Sequence, residues 1–191
     1  MPPTKKEQTH ERIVDHASRA IRRAGYEGVG VAALMKEAGL THGGFYAHFG
    51  SREDLVVEAL ERAAEESLSR MSEVVDAAPS GTEVAALADR YLSDSHVKNP
   101  DEGCALAALG SETHRQPAGV KAVVRRQVKD FLALIEKSLP EGGDADERRD
   151  QARVLLSALV GSLMISRAVD NAEMSKALRG AVKRFAAEQA G

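Results

Sequence analysis

Two short apolar segments that meet at a glycine constrain the fold of this chain more than any other feature. Residues 31–38 and 41–48 both show helical spacing, and Gly39 separates them. A sharp turn between two helices needs a residue with positive φ, which glycine adopts without steric cost. The pattern predicts two short helices that pack on the helix before them. The apolar residues available for a shared core are Ile13, Ala17, Ile21, Leu34, Ala38, Leu40, Phe45 and Phe49.

Helical spacing continues through the rest of the chain, and no long stretch alternates apolar and polar residues as a strand would. Proline- and glycine-containing breaks at 79–81, 98–103 and 140–143 separate the predicted helices. We expect an all-α protein of about nine helices. Its predicted domains are a three-helix helix-turn-helix domain at 1–50 and a second helical domain at 51–191, for which the resemblance described below implies regulation and dimerisation.

The charges of the chain are unevenly distributed. Residues 1–52 carry eight lysines and arginines against five acidic residues, a net charge of +3, although the whole chain has a net charge of −3. The remaining residues therefore carry −6. A basic N-terminal segment on an acidic body is typical of a small DNA-reading module joined to a second domain.

Several classes of protein are disfavoured by the sequence. No apolar run is long enough to span a membrane, and no apolar stretch follows the N-terminal lysines as in a secretory signal. Cys104 is the only cysteine, which fits a reducing compartment, and we expect a cytoplasmic protein. The sequence contains no phosphate loop, nucleophile elbow or trusted metal-ligand pattern. We expect no enzyme activity, no metal and no cofactor.

The second short helix and the start of the next one resemble the TetR (tetracycline repressor-like) family of bacterial transcriptional regulators. The similar stretch runs from about Ile13 to Leu60, and its most specific part is Gly-Leu-Thr-His-Gly-Gly-Phe-Tyr-Ala-His-Phe-Gly-Ser-Arg-Glu-Asp-Leu at 39–55. Family members share the glycine, the Tyr-x-His-Phe run and the Ser-(Lys/Arg)-Glu-x-Leu that follows. The resemblance implies a DNA-binding homodimer with nine or ten helices in each chain and a small-molecule pocket.

The second helix of such a unit lies in the major groove. His42 is the best candidate to read a base edge, and the resemblance implies that Tyr46 and His48 contact phosphates. Arg52 lies in the first turn of the long helix, where the helix dipole does not favour a cation, and phosphate binding would explain its placement. The predicted DNA-contacting residues are Thr41, His42, Gly43, Gly44, Tyr46, His48, Arg52, Lys5 and Lys6.

Other members of this set have a second interpretation. Thr41 can cap the second short helix, contact a phosphate, or do both. Gly43 and Gly44 weaken a helix, but they allow its backbone to approach DNA closely. Lys5 and Lys6 can be a solvated tail or a mobile basic arm that adds affinity for DNA.

The last two predicted helices, at 145–169 and 172–189, are strongly apolar. The first is apolar on more than one face, which needs either a larger core or a second partner. A single well-packed core is one interpretation. The resemblance implies the other, a four-helix bundle formed with the same helices of a second subunit. The predicted interface residues are Leu155, Leu159, Leu163, Met174, Leu178 and Val182.

The middle helices carry apolar residues with few polar ones. Apolar stripes are usually core, but in the family this region encloses an effector pocket, and Tyr91 would offer an apolar effector one polar contact. Cys104 is either a small buried hydrophobic residue or a redox-active thiol. The candidate pocket residues are Leu68, Met71, Leu87, Tyr91, Cys104, Val128, Phe131 and Met164.

These observations together predict a ligand-responsive transcriptional regulator, and specifically a repressor that a small apolar effector releases from its operator. The predicted partners are palindromic double-stranded DNA, a second copy of the chain and the effector. The main alternative is a helical interaction or scaffold protein without specific DNA binding. A third, less favoured, is an enzyme that uses the apolar cavity.

Overall fold

The computed structural model describes residues 2–28, 30–39, 41–140, 142 and 144–189, and at residue 42 it describes the backbone alone. The described residues form helices and no strand, which confirms the predicted all-α class. No helix among them is both long and apolar enough to cross a membrane. The helices are α1 (Lys5–Ala24), α2 (Val31–Glu37), the 3-10 helix η1 (His42–Ala47), α3 (Arg52–Ala77), α4 (Glu83–Tyr91), α5 (Asp94–Lys98), the 3-10 helix η2 (Pro100–Glu102), α6 (Ala105–Thr113), α7 (Ala118–Ser138), α8 (Ala145–Ala168) and α9 (Ala172–Glu188).

The chain divides into two compact units. Unit 1 comprises residues 1–65 and 100–125, and unit 2 comprises residues 66–99 and 126–191. Helices α3 and α7 each contribute to both units. The boundary near residue 50 that the sequence suggests concerns function rather than packing, and it stays a prediction.

Helix α1 begins earlier than its apolar stripe indicates. The Thr4 hydroxyl accepts a hydrogen bond from the backbone N–H of Glu7, and the Glu7 carboxylate accepts one from the backbone N–H of Thr4, at 2.6 Å. This capping box satisfies two N–H groups that the helix end would otherwise leave without partners. Lys5 and Lys6 therefore lie in the first turn of a helix, and the mobile basic arm is replaced by a helix end with exposed lysines.

The second short helix of the helix-turn-helix is a 3-10 helix. Gly43 and Gly44 each disfavour an α-helix by roughly 1 kcal/mol relative to alanine, and a segment of six residues gains little from cooperative hydrogen bonding. Thr41 occupies the N-cap position predicted for it, but its side chain makes no capping hydrogen bond. Gly39 has φ of 74°, as the turn requires. Leu40, beside it, lies outside the described residues.

The predicted core of unit 1 is confirmed. Helices α1, α2, η1 and the start of α3 bury one continuous apolar cluster, which also includes residues of α6 and α7. Met35 is completely buried in it, as its flexible thioether side chain allows. The predicted members found there are Ile13, Ala17, Ile21, Leu34, Ala38, Phe45 and Phe49, and the later helices add Ala105, Leu109, Val120 and Val123.

Unit 2 is held by a buried arginine near the end of the chain. Arg179 of α9 is 8% exposed, and it donates hydrogen bonds to the carbonyl of Leu92 at 2.8 Å and to the Asp94 carboxylate at 2.7 Å. The hydrogen bond from Arg179 holds the pKa of Asp94 below its usual value. The Ser93 hydroxyl accepts from the N–H of His96 and caps α5, a helix of five residues that the sequence pattern does not predict.

His96 is a largely buried histidine in unit 2. Its Nδ1 lies 2.6 Å from the carbonyl oxygen of Tyr91, and its ring meets the Tyr91 ring edge-on at 4.8 Å. Burial is the main cause that lowers the pKa of His96 from 6.5 to about 4. The folded chain therefore keeps His96 neutral at pH values where the unfolded chain protonates it.

We expect acidification to destabilise the protein through His96. The pKa of His96 is lower in the folded chain than in the unfolded chain. The contribution of His96 to the free energy of unfolding is therefore complete above pH 6.5 and is lost as the pH falls towards 4. A shift of this size gives a loss on the order of 2 kcal/mol between about pH 7.5 and about pH 5. Urea unfolding at both pH values measures it. His96→Asn, whose amide can still donate to the Tyr91 carbonyl, should show a smaller loss. His114→Asn, at an exposed position, should match the wild type, and an equal loss in all three proteins would contradict the assignment.

Candidate nucleic-acid interface

The η1 helix presents one aromatic residue outward and one inward. Tyr46 is 69% exposed, whereas its neighbour Phe45 is buried in the unit 1 core, and their rings meet edge-on at 5.2 Å. Thr41 and Gly43 are also exposed. The exposed surface of this segment therefore includes the Thr41 hydroxyl, the Gly43 backbone and the Tyr46 phenol. The His42 side chain, predicted to read a base, lies outside what the structure describes.

His48 lies at the edge between this surface and the core. It is half-buried, and its Nδ1 is buried without a hydrogen-bond partner among the described residues. Its ring lies 5.8 Å from that of His10 in α1. Burial first, and then the positive charges of His10 and Lys6, lower the pKa of His48. The free protein therefore favours a neutral His48 ring.

Two sets of polar contacts attach α1 to the first turns of α3. Nε2 of His10 donates to the Glu58 carboxylate at 2.6 Å, and the His10 ring stacks on Phe49 at 4.6 Å. One turn further along α3, Arg62 donates to the carboxylates of Glu11 and Asp15. These contacts fix α1 against α3 and against Phe49, which follows η1. They join residues about 50 positions apart, and no local motif indicates them.

Arg52 is engaged within unit 1. Its guanidinium donates to the backbone carbonyl of Tyr26 and lies 3.8 Å from the Glu27 carboxylate. It therefore stabilises the turn between α1 and α2, a role that the sequence does not reveal. The contact of Arg52 with a phosphate stays a prediction. Because Arg52→Ala also removes the contacts with Tyr26 and Glu27, a test of DNA binding with this variant has to include its free energy of unfolding.

Tyr26 connects this turn to α6. Its side chain is fully buried, its hydroxyl lies 3.1 Å from the Thr113 hydroxyl, and its backbone N–H donates to the Glu112 carboxylate at 3.2 Å. A few residues earlier, buried Arg22 donates to the carbonyl of Gly103 at 3.0 Å. The end of α1 is thus attached at two points to the segment 103–113.

The predicted pocket residues fall into both units. Cys104 is buried in unit 1, and the other seven belong to unit 2. Tyr91 and Phe131 meet edge-on at 6.3 Å, and Met71 and Leu87 are also buried. The half-buried members are Leu68, Val128 and Met164.

Unit 2 also contains a groove of about 420 Å³ that none of these residues lines. Its wall is formed by α5, the end of α8 and the start of α9, and it includes Lys98, Asn171, Lys176 and Arg179. The described residues contain no group of three or more histidine, cysteine, aspartate and glutamate side chains that could hold a metal.

The predicted dimer residues need a correction. The core of the chain itself covers Leu155, Leu159 and Leu163, which are each at most 2% exposed and cannot contact a partner. Leu178 and Val182 are half-buried, and Met174 is exposed. The neighbouring face of α8 carries the exposed apolar residues instead. The exposed large apolar side chains of α8 and α9 are Val154, Ile165, Met174 and Phe185.

Comparison with known proteins identifies similar sequences among bacterial transcriptional regulators. Residues 13–59 match the family model of bacterial regulatory proteins of the tetR family. The HTH-type transcriptional regulator LmrA of Bacillus subtilis is 25% identical over 85% of this chain and 88% of its own length. The HTH-type transcriptional repressor NemR of Escherichia coli is 22% identical over 81% of each chain.

Solved structures share the fold. A TetR transcriptional regulator from Chloroflexus aurantiacus superposes with a TM-score of 0.81 at 22% identity, over 97% of each chain. The reduced form of Escherichia coli NemR superposes with a TM-score of 0.78 at 20% identity, over 93% of this chain and 96% of that one.

The turn at Gly39, the exposed Tyr46 and the buried core beneath them define a helix-turn-helix DNA-binding protein. The sequence match over 13–59 and the full-length similarity to known regulators make the assignment more specific. Residues 13–59 carry the DNA-binding region of the tetR family of bacterial regulatory proteins, and the chain as a whole is similar to transcriptional regulators.

We expect Gly25 to be essential for the attachment of α1 to α6. Its φ is 81°, and a Cβ there would lie 2.9 Å from the Glu112 carboxylate that binds Tyr26. Gly25→Ala should lower the free energy of unfolding by at least about 1–2 kcal/mol. Gly110→Ala, in α6 with open space around it, should instead stabilise the protein by roughly 0.5–1 kcal/mol. Chemical denaturation measures both, and equal effects would contradict this role of Gly25.

Proposed function

We propose that this regulator is a homodimeric repressor that binds a palindromic operator and is released by a small apolar effector. The outward presentation of Tyr46 on η1, above a fully buried core, is the observation that carries the DNA-binding part. Because η1 packs on α2 and its Phe45 lies in the core that α1, α2 and α3 share, this helix can enter a major groove as a supported element. A cytoplasmic location fits this role.

We assign DNA contacts from the sequence pattern and, where the structure describes the side chain, from its exposure. The Tyr46 and Thr41 hydroxyls and His48 contact phosphates, which fix register without reading sequence. His42 reads a base edge, and Gly43 and Gly44 let the backbone approach the groove. Lys5 and Lys6, in the exposed first turn of α1, and Arg52 add sequence-independent attraction.

The dimer surface is proposed on α8 and α9. Val154, Ala158, Gly161 and Ile165 follow one another at intervals of four, three and four residues, which places them on one helix face. A Cβ at Gly161 would meet nothing within 4 Å, so this face leaves room for a second helix. The matching face of α9 has the same spacing, with residues Met174, Leu178, Ala181 and Phe185.

The effector site is proposed in unit 2. Buried Met71, Leu87, Tyr91 and Phe131 provide an apolar wall with an aromatic pair, which suits a mainly apolar ligand. Helix α3 begins at the DNA-reading unit and extends into unit 2. A ligand that prefers the released state a hundredfold supplies about 2.7 kcal/mol of coupling.

We expect loss of the Tyr46 hydroxyl to weaken DNA binding without weakening the fold. One hydrogen bond of about 0.5–1.5 kcal/mol corresponds to about a two- to tenfold loss of affinity for each reading head. Selection of duplexes from a random library identifies the operator, and fluorescence anisotropy compares the wild type with Tyr46→Phe. The melting temperature should stay the same because Tyr46 is exposed.

The matched control for this comparison is Thr82→Val, which removes a hydroxyl from unit 2 and should leave DNA binding unchanged. The selected sequences should contain two half-sites about 34–36 Å apart or a multiple of that distance. Wild-type affinity in a Tyr46→Phe, Arg52→Ala double variant, or selection of no symmetric sequence, would refute the assignment.

We expect Ile165→Glu with Met174→Glu to give a folded monomer. A carboxylate on each apolar stripe would be buried without a partner in the dimer but solvated in the monomer. Light scattering gives the mass, and circular dichroism checks the helix content. Ala177→Glu, on another exposed face of α9, should remain a dimer. A wild-type protein that is monomeric at micromolar concentration would rule out the proposed dimer.

A further inference from the structure

Burial of one ring nitrogen disfavours the charged form of His48. An imidazolium ring has two N–H donors, and a buried Nδ1–H without an acceptor costs roughly 1–3 kcal/mol. Nδ1 of His48 is buried, and no group in the described part of the chain pairs with it. The neutral ring with its proton on Nε2 is therefore favoured in the free protein, and this form still offers one donor.

The groups around His48 oppose a positive charge on it. From α1, the charges of His10 and Lys6 both act against protonation. From α3, the Glu58 carboxylate accepts a hydrogen bond from His10 at 2.6 Å. One turn further on, Arg62 is neutralised by Glu11 and Asp15. Within this cluster, the Glu58 carboxylate is thus paired with His10 and not with His48.

We propose that DNA binding is coupled to protonation of His48, and that His10, held by Glu58 and by stacking on Phe49, is the positioning residue that controls this coupling. The inference rests on the proposed function, because it requires a phosphate beside His48. It deepens that function by making affinity for DNA depend on pH in a defined direction.

The sign of the pH dependence of DNA binding follows from the charges of the phosphate and the imidazolium. A phosphate stabilises the imidazolium, so the pKa of His48 is higher in the complex than in the free protein, and binding takes up a proton. Affinity therefore rises as the pH falls between those two pKa values. For each pH unit that separates the two pKa values of His48, the affinity of one subunit for its half-site rises at most about tenfold.

Replacement of His10 separates the electrostatic role from packing. His10→Phe keeps an aromatic ring to stack on Phe49 but removes the charge and the hydrogen bond to Glu58. The pKa of His48 should then rise, and the pH profile of DNA binding should move to higher pH. A purely structural role for His10 would change affinity equally at every pH.

The experiment measures affinity for a selected duplex by fluorescence anisotropy from about pH 8 to about pH 5.5, with circular dichroism to confirm folding. The wild type should bind more tightly at low pH, and His48→Gln should lose most of that dependence. His10→Phe should shift the profile to higher pH. His114→Gln, at an exposed position in unit 1, should behave like the wild type.

NMR titration of the His48 ring in the protein without DNA tests the control by His10 directly. The pKa should lie below 6.5 in the wild type and rise in His10→Phe. Lys6→Ala should raise it in the same way, and this exposed position avoids any packing defect. An unchanged His48 pKa in folded His10→Phe and Lys6→Ala, or a pH profile equal to that of His48→Gln, would overturn this inference alone. Failure to bind any duplex at any pH would overturn the proposed function and the inference with it.

Discussion

Burial of Tyr26 is the interaction on which the geometry of unit 1 depends. Its hydroxyl is paired with Thr113, its N–H binds Glu112 and its carbonyl accepts from Arg52. One residue therefore joins α1, the start of α3 and α6. Loss of any of these contacts would leave polar groups in or beside the apolar core without partners, which is costly. The turn between α1 and α2 is thus anchored by residues more than 80 positions further along the chain.

Local patterns predicted the elements of unit 1 well, but not their partners. The apolar spacing identified Ile13, Ala17, Phe45 and Phe49 as core, and the structure buries all four. Spacing gives the buried face of a helix without naming what covers it, so the contribution of residues 100–125 was not foreseen. The Thr4 and Glu7 capping box was visible in the sequence, and it would have extended α1 to Lys5.

In the last two helices, too, the sequence pattern does not identify what covers each apolar face. Helix α8 is apolar on two faces, and its sequence does not tell which face belongs to the core of its own chain. The structure gives Leu155, Leu159 and Leu163 to that core and leaves Val154 and Ile165 exposed. Exposure of two apolar stripes with equal spacing, rather than apolarity as such, is the physical basis for a partner surface.

The 3-10 form of the reading segment limits how much DNA sequence it can inspect. A 3-10 helix rises about 2.0 Å for each residue, so six residues extend about 12 Å. Base pairs are stacked about 3.4 Å apart, and the segment therefore faces three or four of them at most. Information beyond these positions has to come from the bending and groove width of the duplex, or from the second subunit of the proposed dimer. An operator for the proposed dimer would then combine two short half-sites with a spacer whose length and flexibility are constrained.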